Sequence, residues 1–170
     1  GRWDVVLNKI KPGDYVIMEF GHNDAKKDDP KRFADAKTDY RKNLERFIDE
    51  TISKGGIPVL ATPIVRRRFD EQGNFYDVHG DYPNVVREIA LEKNIALLDL
   101  HKKTEELVKS FGKEKSKRLF LHIQPGEYNS LPDGLADDTH LSPEGAFRVC
   151  DFAAQEIREK IKSLASYLKN

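Results

Sequence analysis

The chain has 170 residues, with 29 Lys and Arg against 29 Asp and Glu. That length fits one domain with a real core, and a net charge of zero argues against a general nucleic-acid binder, which needs a basic excess. Mean hydropathy is −0.66, no apolar run approaches the roughly 20 residues of a membrane helix, and the one cysteine, Cys150, excludes an internal disulfide or a cysteine-based zinc site.

Taken in order, residues 3–10 have a helical pattern (Trp3, Val6, Leu7, Ile10) closed by Lys11-Pro12-Gly13. The chain opens on Gly1-Arg2-Trp3-Asp4 without a methionine and reads as a piece whose beginning lies elsewhere. The run 14–20 is apolar on both faces, as expected of a buried strand in a parallel sheet, and stops at Gly21. A helix over 33–54 is expected from Phe33, Ala36, Tyr40, Leu44, Phe47, Ile48 and Ile52, ended by Gly55-Gly56. A second strand, 57–61, precedes a polar loop holding Arg66-Arg67-Arg68. A helix over 81–93 has Pro83 in its first turn. A third strand, 95–98, leads to Asp99, placed to cap a helix over 100–112. A basic run, 113–118, and a turn-rich loop over 121–139 follow. The last helix starts with Ser142 as cap and Pro143 at its first position, and its pattern places Cys150 on the buried face as an inert thiol.

This alternation predicts an α/β three-layer sandwich with a parallel sheet, in one domain over 1–170. Three strands are few for such a sheet, and strand 14–20 has no partner before it, so one or more N-terminal strands are expected to be missing. If these 170 residues are the whole molecule, that open edge predicts pairing with a second copy; in a longer protein the edge is already filled.

Two segments carry chemistry. Gly21-His22-Asn23-Asp24 follows a strand end, where open α/β sheets bind ligands, and Asn23 offers an amide donor there. Asp137-Asp138-Thr139-His140 puts an acid three residues before a histidine; a carboxylate on imidazole Nδ1 fixes the tautomer and leaves Nε2 as a base. Each has an ordinary reading alone: a polar turn, and loop carboxylates beside a surface histidine. Asp24, His22, Asp137, His140 and His122 also offer metal ligands, in a spacing that matches no familiar zinc pattern.

Together these segments resemble the later half of the SGNH, or GDSL-type, hydrolases, which have a flavodoxin-like sheet. Gly1-Arg2-Trp3-Asp4, Lys11-Pro12-Gly13-Asp14-Tyr15-Val16, Phe20-Gly21-His22-Asn23-Asp24, Thr62-Pro63-Ile64-Val65-Arg66-Arg67 and Asp137-Asp138-Thr139-His140 are similar to the rhamnogalacturonan acetylesterase branch. The resemblance implies a serine esterase acting on acetylated acidic polysaccharide such as pectin, secreted or periplasmic, with no cofactor or metal. It implies His140 as base, Asp137 as its orienting acid, Asn23 as oxyanion donor, and Gly21 as the point of close approach. His22, Arg66, Arg67 and His79, with Tyr82 beside it, are expected to meet the sugar chain, the arginines pairing with its carboxylates. The family's Gly-Asp-Ser nucleophile segment is not in this sequence. The expectation is therefore that the chain is the C-terminal part of an esterase, with little activity alone. A non-catalytic carbohydrate-binding remnant and a metal-dependent hydrolase remain the alternatives.

Overall fold

A computed structural model describes residues 1–169. The elements are α1 (Arg2–Leu7), β1 (Tyr15–Glu19), a π turn (Ala36–Tyr40) running into α2 (Arg41–Ser53), β2 (Ile57–Ala61), α3 (Tyr82–Glu92) and β3 (Ala96–Leu98). Then come α4 (Leu100–Lys115), a 3-10 turn (Ser116–Leu119), β4 (Phe120–Ile123), β5 (Leu135–Leu141), α5 (Pro143–Lys160) and α6 (Lys162–Ala165). They fall into two compact units: Gly1–Pro63 with His79–Asp99 and Glu156–Asn170, and Ile64–Val78 with Leu100–Gln155.

The first unit is an α/β layer structure. Its parallel sheet has the order β1-β2-β3, with Met18 beside Leu60 and Leu60 beside Leu97. Met18 and Leu60 pack against Tyr40, Leu44 and Ile48 from α2 and the turn before it, and against Val85, Val86 and Ile89 of α3. Burying each such aliphatic side chain contributes about 1.5–3 kcal/mol. Trp3 stacks on Phe47 at 4.4 Å between ring centres and donates its indole N–H to Glu50, which ties α1 to α2. The helix expected from residue 33 begins later, because Asp35 acts as its cap and accepts the Lys37 amide at 3.1 Å.

In the second unit α4 changes course at Gly112, whose φ is 69°. The stretch 121–139, expected to be a loop, instead holds most of an antiparallel hairpin, β4 with β5. Its strands escape a pattern search because β4 has four residues and β5 is mostly polar. Val65, Val108, Leu119 and Phe120 form the core beneath it, with Phe69, Phe75 and Leu141 packed around them. Helix α5 starts where expected: Ser142 Oγ accepts the Gly145 amide at 3.1 Å and donates to the Arg118 carbonyl at 2.6 Å. A Cβ on Gly145 would fall 1.9 Å from the Leu119 carbonyl oxygen, so only glycine lets the helix start this close. Cys150, expected inside, is exposed. The inward line of α5 passes through Gly145, Val149 and Phe152, about 100° round the helix from Cys150.

Candidate functional site

In the first unit the chain leaves β1 through a tight turn. Asp24 Oδ2 accepts the Gly21 amide at 3.0 Å, and the Ala25 amide returns to the Gly21 carbonyl at 3.0 Å. Gly21 has φ 128°, and a Cβ there would lie 3.1 Å from the Pro63 ring and 3.6 Å from the Tyr40 hydroxyl. Both the backbone angle and the space therefore select glycine. The Tyr40 hydroxyl donates to the Phe20 carbonyl at 3.1 Å and fixes the strand end. Asn23 stands exposed on this turn. Its Oδ1 accepts from Arg32 at 3.4 Å, which commits the oxygen end of the amide and leaves the NH2 end as the donor.

Beneath the turn lies a polar group of partners. His22 Nδ1 is 3.3 Å from His79 Nε2, and His22 Nε2 is 3.7 Å from Glu19. Loss of hydration, then the Asp24 carboxylate, pushes Glu19 up to about 7, although 37% of its side chain still meets solvent. Burial pushes Asp24 up as well, against its backbone hydrogen bonds.

Two residues expected at a sugar surface are instead internal. His79 is 1% exposed, with its ring edge-on to His22. Tyr82 is buried, with its hydroxyl 2.7 Å from the Ala34 carbonyl and 2.9 Å from that of Asp24. Both stand at the start of α3, whose first turn faces the core.

In the second unit the segment Asp137 to His140 lies on β5 as a bulge. Leu141 pairs with Phe120 and Asp137 pairs with Leu121, so Asp138, Thr139 and His140 are extra residues opposite one step of β4. Asp137 organises the bulge. Its Oδ1 accepts the amides of Thr139 at 2.7 Å and His140 at 2.9 Å, and its Oδ2 lies 2.6 Å from His140 Nδ1. Burial pushes Asp137 up, but these bonds from His140 and Thr139 outweigh it and hold the carboxyl below the usual carboxylate value. The His140 side chain is 76% exposed, so the far side of the imidazole is open. The pair can hold a neutral imidazole with its proton on Nδ1 and a lone pair on Nε2.

Asp138 points into a separate network. Its carboxylate takes Arg67 at 2.7 Å, His122 Nε2 at 2.8 Å and Arg68 at 3.4 Å. Burial again pushes the carboxyl up, and the bonds from His122 and Arg67 outweigh it. Arg67, expected to meet substrate, is 7% exposed. Its guanidinium is spent on Asp138, on Ser116 Oγ at 3.1 Å and on the Lys113 carbonyl. Arg66 is half-buried, and burial, then the charge of Arg68, lowers its proton affinity.

The residues weighed as metal ligands are engaged inside the protein: Asp24 with the Gly21 amide, His22 with His79, His140 with Asp137, and His122 with Asp138. Several serine hydroxyls serve local structure, those of Ser53, Ser110 and Ser166 bonding to carbonyls in their own turns. The Arg67–Asp138–His122 network escaped the sequence reading. The only sequence trace of it is the doubled Asp137-Asp138 beside the Arg66-Arg67-Arg68 run.

Residues 1–146 match the GDSL-like Lipase/Acylhydrolase family. The chain is 38% identical to the rhamnogalacturonan acetylesterase RhgT of Bacillus subtilis (strain 168), over 94% of this chain and 67% of that protein. It is 31% identical to the probable rhamnogalacturonan acetylesterase YesY of the same organism, over 94% of this chain and 69% of that protein. The crystal structure of Bacillus subtilis YxiM superposes with a TM-score of 0.73 at 25% identity, over 94% of this chain and 40% of that one. The chain thus spans about two thirds of these two acetylesterases and less than half of the YxiM structure.

Proposed function

Because the chain belongs to the GDSL-like lipase/acylhydrolase family, and with it to the serine ester hydrolases, we propose that it serves the deacetylation of an acetylated acidic polysaccharide of the rhamnogalacturonan type. The observation that carries this reading is the Asp137–His140 pair: a carboxylate 2.6 Å from Nδ1 of an imidazole whose other side is exposed. In the proposed reaction His140 Nε2 takes the proton of a serine hydroxyl as its oxygen attacks the acetyl carbonyl. The oxyanion that forms needs an amide donor, the part that the family resemblance gives to Asn23. His140 then passes its proton to the departing sugar oxygen, which leaves an acetyl-serine. Water, deprotonated by the same imidazole, releases acetate and restores the serine. Asp137 stays ionised throughout and holds the tautomer.

The serine in this reading belongs to a Gly-Asp-Ser segment upstream of Gly1. The choice of an acidic polymer is supported by the names of the relatives and by Arg66, whose crowded charge gains from an anion beside it. Such a polymer lies outside the cell, which would place the enzyme there. The test is acetate release from acetylated rhamnogalacturonan and from acetylxylan by the whole enzyme, with and without His140→Gln. Loss of release in the variant and preference for the acidic polymer are expected. Undiminished release by His140→Gln, or abolition by chelator alone, would overturn the reading.

A further inference from the structure

The bulge on β5 presents a mechanical problem. Ladder bonds to β4 hold Asp137 at one end and Leu141 at the other. The three residues between them lie outside that ladder, and His140 is among them. Asp137 bonds to the amides of Thr139 and His140, but those bonds are internal to the bulge. They set its shape without fixing it to the rest of the unit.

Asp138 supplies the external attachment. Its carbonyl accepts the Arg67 amide at 2.9 Å, and its carboxylate accepts the Arg67 guanidinium at 2.7 Å. One arginine therefore grips one aspartate through both backbone and side chain. The guanidinium is itself immobilised on Ser116 Oγ and the Lys113 carbonyl, at the end of α4. His122 on β4 reaches the same carboxylate at 2.8 Å. A buried guanidinium with its planar fork satisfied on three sides is a rigid support. Without Arg67, Asp138 would keep His122 and the longer contact with Arg68, but lose the one partner that holds both its carbonyl and its carboxylate.

We infer that Arg67 is a positioning residue for His140, anchoring the bulge through Asp138 so that the Asp137–His140 pair keeps its geometry. The inference rests on the proposed catalytic role of His140 for its consequence in turnover, but the anchoring can be read without turnover. It also accounts for an arginine in the loop after β2 being turned inward.

The test uses the full chain labelled with ¹⁵N-histidine. The wild-type ring of His140 is expected to show the Nδ1–H tautomer, with a slowly exchanging Nδ1 proton. Arg67→Met should speed that exchange and average the two ring nitrogens, while the rings of His22 and His79, which lie in the first unit, stay as they are. Arg67→Lys keeps the charge but loses the fork, and should fall between the two. A folded Arg67→Met chain with an unchanged His140 ring would overturn the inference. If Arg67→Met does not fold, Asp138→Asn decides instead: it keeps the carbonyl that Arg67 reaches, and it should loosen His140 to a smaller degree. An unchanged ring in that variant counts against the anchor in the same way. In the whole enzyme, Arg67→Met should lower kcat on the order of 10- to 100-fold with KM nearly constant. Full turnover by His140→Gln would defeat the catalytic reading and leave the ring result standing.

Discussion

Asp137 and His140 meet twice: the carboxylate Oδ1 accepts the His140 amide at 2.9 Å, while Oδ2 lies 2.6 Å from the Nδ1 of its ring. One side chain thus fixes both where the histidine backbone runs and which ring nitrogen carries the proton. Replacing Asp137 with Asn removes the charge and lets the amide NH2 face Nδ1, which favours the wrong tautomer. In the whole enzyme, loss of turnover on the order of 10³–10⁴-fold is expected for Asp137→Asn, and about 10²–10⁴-fold for His140→Gln. Initial rates of acetate release measure both.

The same carboxylate sets an acid limit. Asp137 is held below its ordinary value of 3.8, chiefly by the bonds from His140 and Thr139 that outweigh burial. A depressed carboxyl stabilises the fold above its unfolded value, and that contribution disappears as pH falls through the folded value. The bulge is therefore expected to stay ordered down to about pH 4 and to loosen below it. Histidine ring spectra recorded between pH 3 and 6 check this, and loosening already at pH 5 would contradict it.

Glu19 makes the opposite prediction. Its carboxyl is pushed up to about 7 from 4.5 by lost hydration and by Asp24. The folded state then binds a proton that the unfolded chain releases, so stability is full below about pH 4.5 and declines as pH rises toward 7. Glu19→Gln should flatten that decline. Thermal melts of both chains at pH 5 and pH 8 measure it, and parallel losses in the two chains would refute the assignment.

At the turn after β1, Asn23→Ala removes an exposed amide and should leave stability within about 0.5 kcal/mol, while turnover of the whole enzyme falls by about 2–4 kcal/mol in the barrier. Gly21→Ala should do the reverse in part. A Cβ at φ 128°, 3.1 Å from Pro63, is expected to destabilise by about 1–3 kcal/mol. Denaturant unfolding of the two variants separates these effects.

Among the described residues β1 pairs with β2 alone, and Ile17 is 49% exposed on it. A groove of about 460 Å³ runs along this strand between Val6, Ile10, Val16 and Ile17. Unpaired edges of this kind recruit other strands. This chain alone is expected to dimerise with rising concentration, and Ile17→Lys should abolish the dimer. Sedimentation equilibrium would show it, and a monomer at every concentration would dismiss the idea.

The sequence by itself determined what is local. The apolar runs at Tyr15–Glu19 and Ile57–Ala61, the stripe on α2, the Ser142 cap and the Asp137–His140 spacing are all readable, because each depends on residues within a turn or a strand of one another. Tertiary structure alone decided what stands opposite. Arg67 and Asp138 are 71 residues apart, and nothing local marks that arginine as buried rather than facing a sugar acid. The same holds for His79 and Tyr82, which read as exposed polar aromatics and are internal. Cys150 missed its expected face by one residue because a helical stripe fixes the period of burial, while the packing partner fixes its phase. The β4–β5 hairpin stayed hidden because its polar bulge is held by side chains from other segments rather than by an alternating pattern.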